Sequence, residues 1–285
     1  MIHVVTVHFL DDRWIGPQLR FLHRHLEGDH ATYGCLNGID PRWNPVFDHA
    51  WDLEGSHADK LNELARRVIA NGAHPDDLLI FVDGDAFPVA PIGAGLLSEH
   101  PLAAVRRDEL MNDCQPHPCF CVTTVGLWDQ IKGDWREGHA WPTAGGGTAT
   151  DVGGNLLGIL EREQISWRPL LRSNRTNLDD LWFGIYADVV YHHGAGFRVP
   201  KSRQMMTPNR QDVLWAASKA VTPAWVPVLG RAERSARFRF ADYRHRRHVT
   251  GLAEQSRDLA DGVFRRIETD DEFFRMFQAA PVVAQ

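Results

Sequence analysis

Leu78-Leu79-Ile80-Phe81-Val82 is followed at once by Asp83-Gly84-Asp85. Five consecutive apolar residues offer no polar face to water, so they read as a strand buried on both sides, as in a parallel sheet covered by helices. The two carboxylates then stand where the C-terminal end of that strand leaves the sheet, the edge at which open α/β sheets bind ligands. Asp83 and Asp85 can both reach one hard cation with oxygen ligands, and Gly84 lets backbone or phosphate come close. The same triplet is also ordinary turn chemistry, so its meaning depends on what accompanies it.

A chain of 285 residues has room for one large α/β domain with an appendage, or for two small domains. Its 44% hydrophobic and 24% charged residues exclude the disordered and fibrous classes. A formal charge of −6 gives no global attraction for nucleic acid. No apolar run approaches the length of a membrane span, and Met1-Ile2-His3-Val4-Val5-Thr6-Val7-His8-Phe9 lacks the basic region and long apolar core of a signal peptide. That segment reads as the first core strand, and the expected location is cytoplasmic. Cys35, Cys114, Cys119 and Cys121 are too few to staple a chain of this size. With His117 among them, the last three could ligate zinc, but their spacing matches no usual paired-ligand pattern, and reduced, partly buried thiols are expected.

The first half alternates strand-like and helix-like segments, which argues for a parallel sheet covered by helices. Strands are expected at Val4 to Phe9, His30 to Leu36 and Val46 to Leu53, with a helix over Gly16 to Leu26. Ser56 caps a second helix whose Leu61, Leu64, Ala65, Val68 and Ile69 share one face, and Asn71-Gly72 ends it. The acidic strand comes next, followed by a short strand over Leu102 to Val105. Residues 106–150 read as irregular, with prolines, cysteines and the run Thr143-Ala144-Gly145-Gly146-Gly147-Thr148, as substrate-binding regions often are. Trp128, Trp135 and Trp141 flank that section and suit either sugar rings or the core. Thr150-Asp151 is expected to cap a helix over Val152 to Arg162, and Val189 to Tyr191 to form a last strand before His192-His193-Gly194-Ala195-Gly196. The domain is expected to span 1–230, with a C-terminal helical extension over 231–285. That extension is rich in arginine, which suits a solvated or interface-forming helix more than a membrane patch and offers a surface for homo-oligomer formation.

His192 or His193 is a good ligand for manganese and other first-row ions, Gly194 beside them permits backbone contact with phosphate, and Arg198 can neutralise a diphosphate. Together with the acidic pair these residues suggest a metal–diphosphate site.

The ordered pieces resemble a nucleotide-sugar glycosyltransferase of the GT-A fold. They are the N-terminal strand, His57-Ala58-Asp59-Lys60-Leu61-Asn62, the strand ending Asp83-Gly84-Asp85-Ala86-Phe87-Pro88-Val89, the helix opening Asp151-Val152-Gly153-Gly154-Asn155, and the terminal His-His-Gly, spanning residues 1 to about 200. The resemblance implies an α/β, Rossmann-like GT-A fold with a mostly parallel central sheet. It implies transfer of a sugar from a nucleoside-diphosphate donor, most often a UDP-linked one, to an unidentified acceptor hydroxyl. The loop after the first strand, with His8, and the second helix, with Lys60, would hold the nucleotide. Asp85 and His193 would hold Mn2+ or Mg2+, and Asp83 would contact ribose or reach the metal. His193 is preferred over His192 because it precedes Gly196 by three residues, as in the family's H-x-x-G. Asp151 is the candidate base or acceptor-orienting residue, with a helix-capping role as its alternative. Phe197-Arg198 departs from the lysine and proline of some retaining members, so stereochemistry stays open.

Two alternatives remain. A haloacid-dehalogenase-like phosphohydrolase also uses D-x-D, but on its first strand and with Thr or Val where Phe87 stands. A module that binds nucleotide or sugar without turnover would not need Asp85, a histidine and Asp151 together.

Overall fold

The computed structural model describes residues 1–109, 113–143, 147–196, 198–206, 210–218 and 227–279. Ala144, Gly145 and Gly146 of the glycine-rich run, and Phe197, lie outside the described residues. Two compact units are present, one built from 1–197 together with 271–285 and the other from 198–270.

In the first unit the chain runs β1 (Ile2–Phe9), α1 (Ile15–His25), β2 (His30–Asn37), β3 (His49–Trp51), α2 (His57–Ala70), β4 (Leu78–Asp83), β5 (Ala86–Pro88), β6 (Leu102–Val105), β7 (His117–Thr124) and α3 (Val125–Gln130). It continues through β8 (Trp141–Pro142), β9 (Thr148–Ala149), α4 (Gly154–Arg162), β10 (Arg168–Leu170), β11 (Gly184–Tyr186) and β12 (Val190–His192). The second unit holds α5 (Arg203–Met206), α6 (Arg210–Ser218) and α7 (Pro227–Thr269), and α8 (Arg275–Gln278) returns to the first.

The central sheet has seven strands in the order β10-β6-β7-β4-β1-β2-β3. All neighbouring pairs are parallel except those made by β7, which is antiparallel to both β4 and β6. The fold is therefore α/β with a mostly parallel central sheet and helices, a C-terminal one among them, as expected. Successive strand residues face opposite sides. Val5, Val7, Leu79 and Phe81 accordingly enter one core with α2, α3 and α4, while Val4, Ile80 and Val82 enter another with Leu22 of α1. Phe81 is fully buried against Trp128 at 4.5 Å and Trp135 at 5.1 Å between ring centroids. Truncating such a residue typically costs about 3–5 kcal/mol.

α2 begins as its sequence dictates: Ser56 accepts from the Asp59 amide while Asp59 accepts from the Ser56 amide, a capping box that satisfies two free N–H groups. The section 106–150, expected to be irregular, contains β7 and α3. The strand expected over 46–53 is confined to β3, and Val46 is the last residue of a 3-10 helix over Pro41–Val46. The composition changes near Arg231, but α7 starts at Pro227, and the boundary expected at 230/231 falls inside that helix.

Candidate metal centre

β4 delivers Asp83 to the C-terminal edge of the sheet, and β5 begins immediately after the turn. β12 pairs antiparallel with β5, setting His192 opposite Ala86 and therefore beside Asp85. This register decides which histidine faces the acids. One ligand atom each from Asp83, Asp85 and His192 lies within 4.8 Å of the others. His192 Nε2 is 3.5 Å from Asp85 Oδ1 and 3.9 Å from Asp83 Oδ2. Among the described residues this is the only group of three or more acidic, histidine or cysteine side chains so arranged.

His193, favoured by spacing, points the other way, as the alternation of strand side chains requires. Its Nδ1 meets the Tyr191 hydroxyl at 2.9 Å, and its ring lies 4.5 Å from that of Trp14. Burial pushes its pKa down to about 3. Its backbone N–H donates to the Asp85 carbonyl at 3.0 Å.

The two oxygens of Asp85 do different work. Oδ2 accepts from the amides of Gly194 and Gly196 at 3.0 and 2.9 Å, which fastens the loop after β12, while Oδ1 faces His192. Burial pushes this carboxyl up, but His192, His193 and the Gly196 amide outweigh it and hold Asp85 well below the usual carboxylate range. Burial also works against a charged His192, yet Cys119 and Asp85 beside it raise it above the ordinary histidine value. Asp83 has one oxygen engaged by His57, whose Nε2 is 2.9 Å from Oδ1. Burial lowers His57, and the Asp83 charge more than compensates, so its pKa is raised.

Gln18 braces this turn from behind. Its amide donates to the carbonyls of Asp83 and Ala86 at 2.7 and 2.9 Å, and its oxygen accepts from Thr6 at 3.1 Å and faces His8 Nε2 at 3.0 Å. His8 is buried, which lowers its pKa to about 4. A Cβ on Gly84 would lie 2.8 Å from both His8 Nδ1 and the Val7 carbonyl, so only glycine lets the acidic turn pack this closely on β1. Lys60 is buried in the first turn of α2, with Nζ 5.5 Å above the Phe9 ring. Gly194 adopts φ +87° and presents its amide to Asp85. Arg198 is exposed and is the first residue of the second unit.

Asp151 does not cap α4 with its side chain. That helix starts at Gly154, and its N-cap is Gly153 at φ +94°, beside the Pro116 carbonyl where a Cβ would clash. Asp151 accepts instead from the Val152 amide at 2.8 Å and lies 4.0 Å from Arg107, which is also 3.5 Å from Asp113. Burial, opposed by Arg107 and aided by Asp151 and Glu109, pushes Asp113 up to about 6. Gln115, 1% exposed, has no hydrogen-bond partner for either side-chain amide atom among the described residues. Because β7 runs antiparallel to β4 and β6, its N-terminal end lies at the edge where Asp83 and Arg107 leave the sheet.

Trp128, Trp135 and Trp141 are buried and belong to the core, not to a sugar-binding surface. The four cysteines are free thiols and form no zinc set: Cys121 faces one core cluster and Cys119 the other, beside His192.

No family model and no curated protein matches the sequence. Among solved structures, the chain is similar to the glycosyltransferase GlyE of Streptococcus pneumoniae TIGR4. Its apo form is 18% identical over 46% of this chain and 36% of that one, with a TM-score of 0.33. A second GlyE structure is 15% identical over 59% and 45%, with a TM-score of 0.34. TarS of S. aureus is 10% identical over 47% and 30%, with a TM-score of 0.35. The chain spans less than half the length of each of these proteins. The functional reading therefore rests on the site itself.

Sequence reasoning passed over three residues here. Gln18 carried a signal, being a polar residue on the buried stripe of α1 that includes Ile15 and Leu22. His57 stands at the first position of a capped helix. Arg107 follows β6 at the same edge as Asp83, which only the sheet order reveals.

Proposed function

We propose that this protein is a divalent-metal-dependent glycosyltransferase that moves a sugar from a nucleoside-diphosphate donor, UDP-linked by the family resemblance, to an acceptor hydroxyl. The observation that carries the reading is the convergence of Asp83, Asp85 and His192 at the C-terminal edge of a mostly parallel sheet. Two carboxylates and an imidazole with donor atoms this close suit Mn2+ or Mg2+, which take oxygen and nitrogen ligands at about 2.0–2.2 Å. His192 replaces His193 as the proposed histidine ligand.

When bound, the cation supplies Lewis-acid stabilisation of negative charge on the departing diphosphate. The chain's own residues do the rest. Asp85 fixes the loop carrying Gly194 and Gly196, His57 fixes one oxygen of Asp83, and Gln18 fixes the backbone of the turn between them. In the transfer, the bond from the anomeric carbon to the phosphate oxygen breaks and a bond to the acceptor oxygen forms. Asp151 is assigned to orient the acceptor and take its proton, with Arg107 beside it. His8 and Lys60 are assigned to the nucleotide end, Gly84 and Gly194 to close backbone approach, and Arg198 to the diphosphate.

The test is incubation with UDP-, GDP- and dTDP-sugars, with and without Mn2+, reading release of free nucleoside diphosphate in the absence of acceptor. Slow, Mn2+-dependent release from a UDP-sugar is expected and also excludes a binding-only module. No release from any donor, with no thermal stabilisation by a nucleoside diphosphate plus Mn2+, would overturn the reading. A ligand at a hundred times its dissociation constant should stabilise by about 2.7 kcal/mol.

A further inference from the structure

The N-terminal half of α7 has no role in the site described above. Leu229, Ala232, Ala236, Phe240 and Tyr243 recur at intervals of three or four residues, which places them on one helix face. That face is open: Leu229 is 61% exposed, Phe240 62% and Tyr243 58%, and Val228 beside it is exposed as well. The stripe borders a hollow toward α6, lined by Phe240 together with Arg237, Ala241, Arg244 and His245 of α7 and Val213 and Ala217 of α6, so Phe240 has one side on that hollow and the rest exposed.

Charge surrounds this apolar stripe. Residues 228–248 contain seven arginines and two acids, a net of +5 in a chain whose total is −6. Both acids are already engaged by arginine: Asp242 by Arg210 and Arg246 at 2.6 and 2.8 Å, and Glu233 by Arg237 at 3.2 Å. Arg231, Arg234, Arg239, Arg244 and Arg247 are exposed and make no salt bridge among the described residues.

We propose that residues 228–248 of α7 lie on an anionic phospholipid bilayer, with Leu229, Phe240 and Tyr243 entering the headgroup–acyl boundary and the arginines pairing with lipid phosphates. An apolar stripe with aromatic residues, bordered by cations on a helix of low mean hydropathy, is the pattern of a helix lying in the membrane interface. No helix among the described residues is long and apolar enough to cross a membrane, so the contact is with the surface. A second copy of the chain fits less well, because pairing this face with itself sets the same seven arginines against one another.

The test is co-sedimentation of the full chain with vesicles of phosphatidylcholine alone and of phosphatidylcholine mixed with phosphatidylglycerol. It is read without substrate, so its outcome is independent of the metal-centre reading. Binding to the anionic vesicles alone is expected, weakening as salt rises. Each arginine removed from the surface should lower partitioning about fivefold, so the triple variant Arg239→Gln, Arg244→Gln, Arg247→Gln should lose about a hundredfold. The pair Phe240→Ser, Tyr243→Ser should also weaken binding, which charge attraction alone would not require. These side chains are exposed, and circular dichroism of each variant checks that the fold is kept. Four results would overturn the proposal: no binding to either vesicle, equal binding to both, anionic binding unchanged in the variants, or concentration-dependent self-association of the native chain that the variants abolish. Binding to a DNA duplex as tight as to anionic vesicles would equally count against a lipid partner.

Discussion

Asp85 carries two duties on two oxygens, and substitution can separate them. Oδ2 accepts both loop amides, from Gly194 and Gly196, while Oδ1 faces His192. In Asp85→Asn the side-chain carbonyl can take the place of Oδ2 and keep both bonds, leaving an NH2 group where the cation would need an oxygen. In Asp85→Ala both bonds vanish and two buried N–H groups lose their acceptor. Hydrogen bonds to a charged group contribute about 1.5–3 kcal/mol each, so the alanine variant should lose about 3–6 kcal/mol from these two bonds. Both variants also lose the pair with His192; beyond that shared loss, the asparagine variant, exchanging charged for neutral bonds, should lose about 1 kcal/mol. Urea unfolding followed by tryptophan fluorescence measures both, and titration with Mn2+ in the presence of UDP measures the site. Both variants should lose the metal, and alanine should be the less stable of the two by about 2 kcal/mol or more. Equal destabilisation by the two substitutions, or Mn2+ retained by Asp85→Asn, would refute this division of labour.

Three further outcomes follow from the same geometry. His192→Ala should abolish Mn2+ binding and, by leaving the buried Asp85 carboxylate without its histidine partner, also lower stability, whereas His193→Ala, which empties space between Trp14 and Phe183, should cost about 2 kcal/mol or more and leave the metal ligands in place, so that Mn2+ calorimetry and not unfolding tells the two apart. Asp151→Asn should lower turnover about a hundredfold or more while unfolding hardly moves, since this side chain does not cap α4; unchanged turnover would remove Asp151 from the chemistry. Asp134 opposes its burial with hydrogen bonds from Arg136, Asn155 and Asn62, which lower its pKa from 3.8 to about 2. Because the folded value is depressed, that stabilisation is complete above pH 3.8 and fades as pH falls through about 2. Acid unfolding of Asp134→Asn should therefore show about 2 kcal/mol less stability than the native chain at pH 6, with the difference shrinking toward pH 2.

The acidic strand and the capping box of α2 were legible because each is a local pattern with a single physical meaning: an unbroken apolar run, and a serine three residues before an acid. β7 was hidden because His117 and Pro118 open it inside a stretch whose prolines and cysteines read as irregular, although six of its eight residues are buried. β5, β10 and β11 are three residues each, too short for periodicity to register, whereas β12, equally short, is the strand expected over Val189 to Tyr191, displaced by one residue. The acids of the site were read directly from sequence, but the histidine was assigned by its distance to a glycine. The pairing of β12 with β5, a contact across about a hundred residues, selects His192, and no local signal encodes it. Gln18 and Arg107 are of the same kind, brought to the turn and to the sheet edge by tertiary packing.

Asp83, Asp85 and His192 are proposed to hold a divalent cation beneath a diphosphate. The most direct measurement is a crystal structure with Mn2+ and UDP, recorded at the manganese absorption edge. One anomalous peak is expected within about 2.0–2.6 Å of a carboxylate oxygen of Asp85 and of His192 Nε2, with the diphosphate on its open side. A manganese peak elsewhere, or UDP bound at another edge of the sheet with these three side chains unengaged, would contradict it.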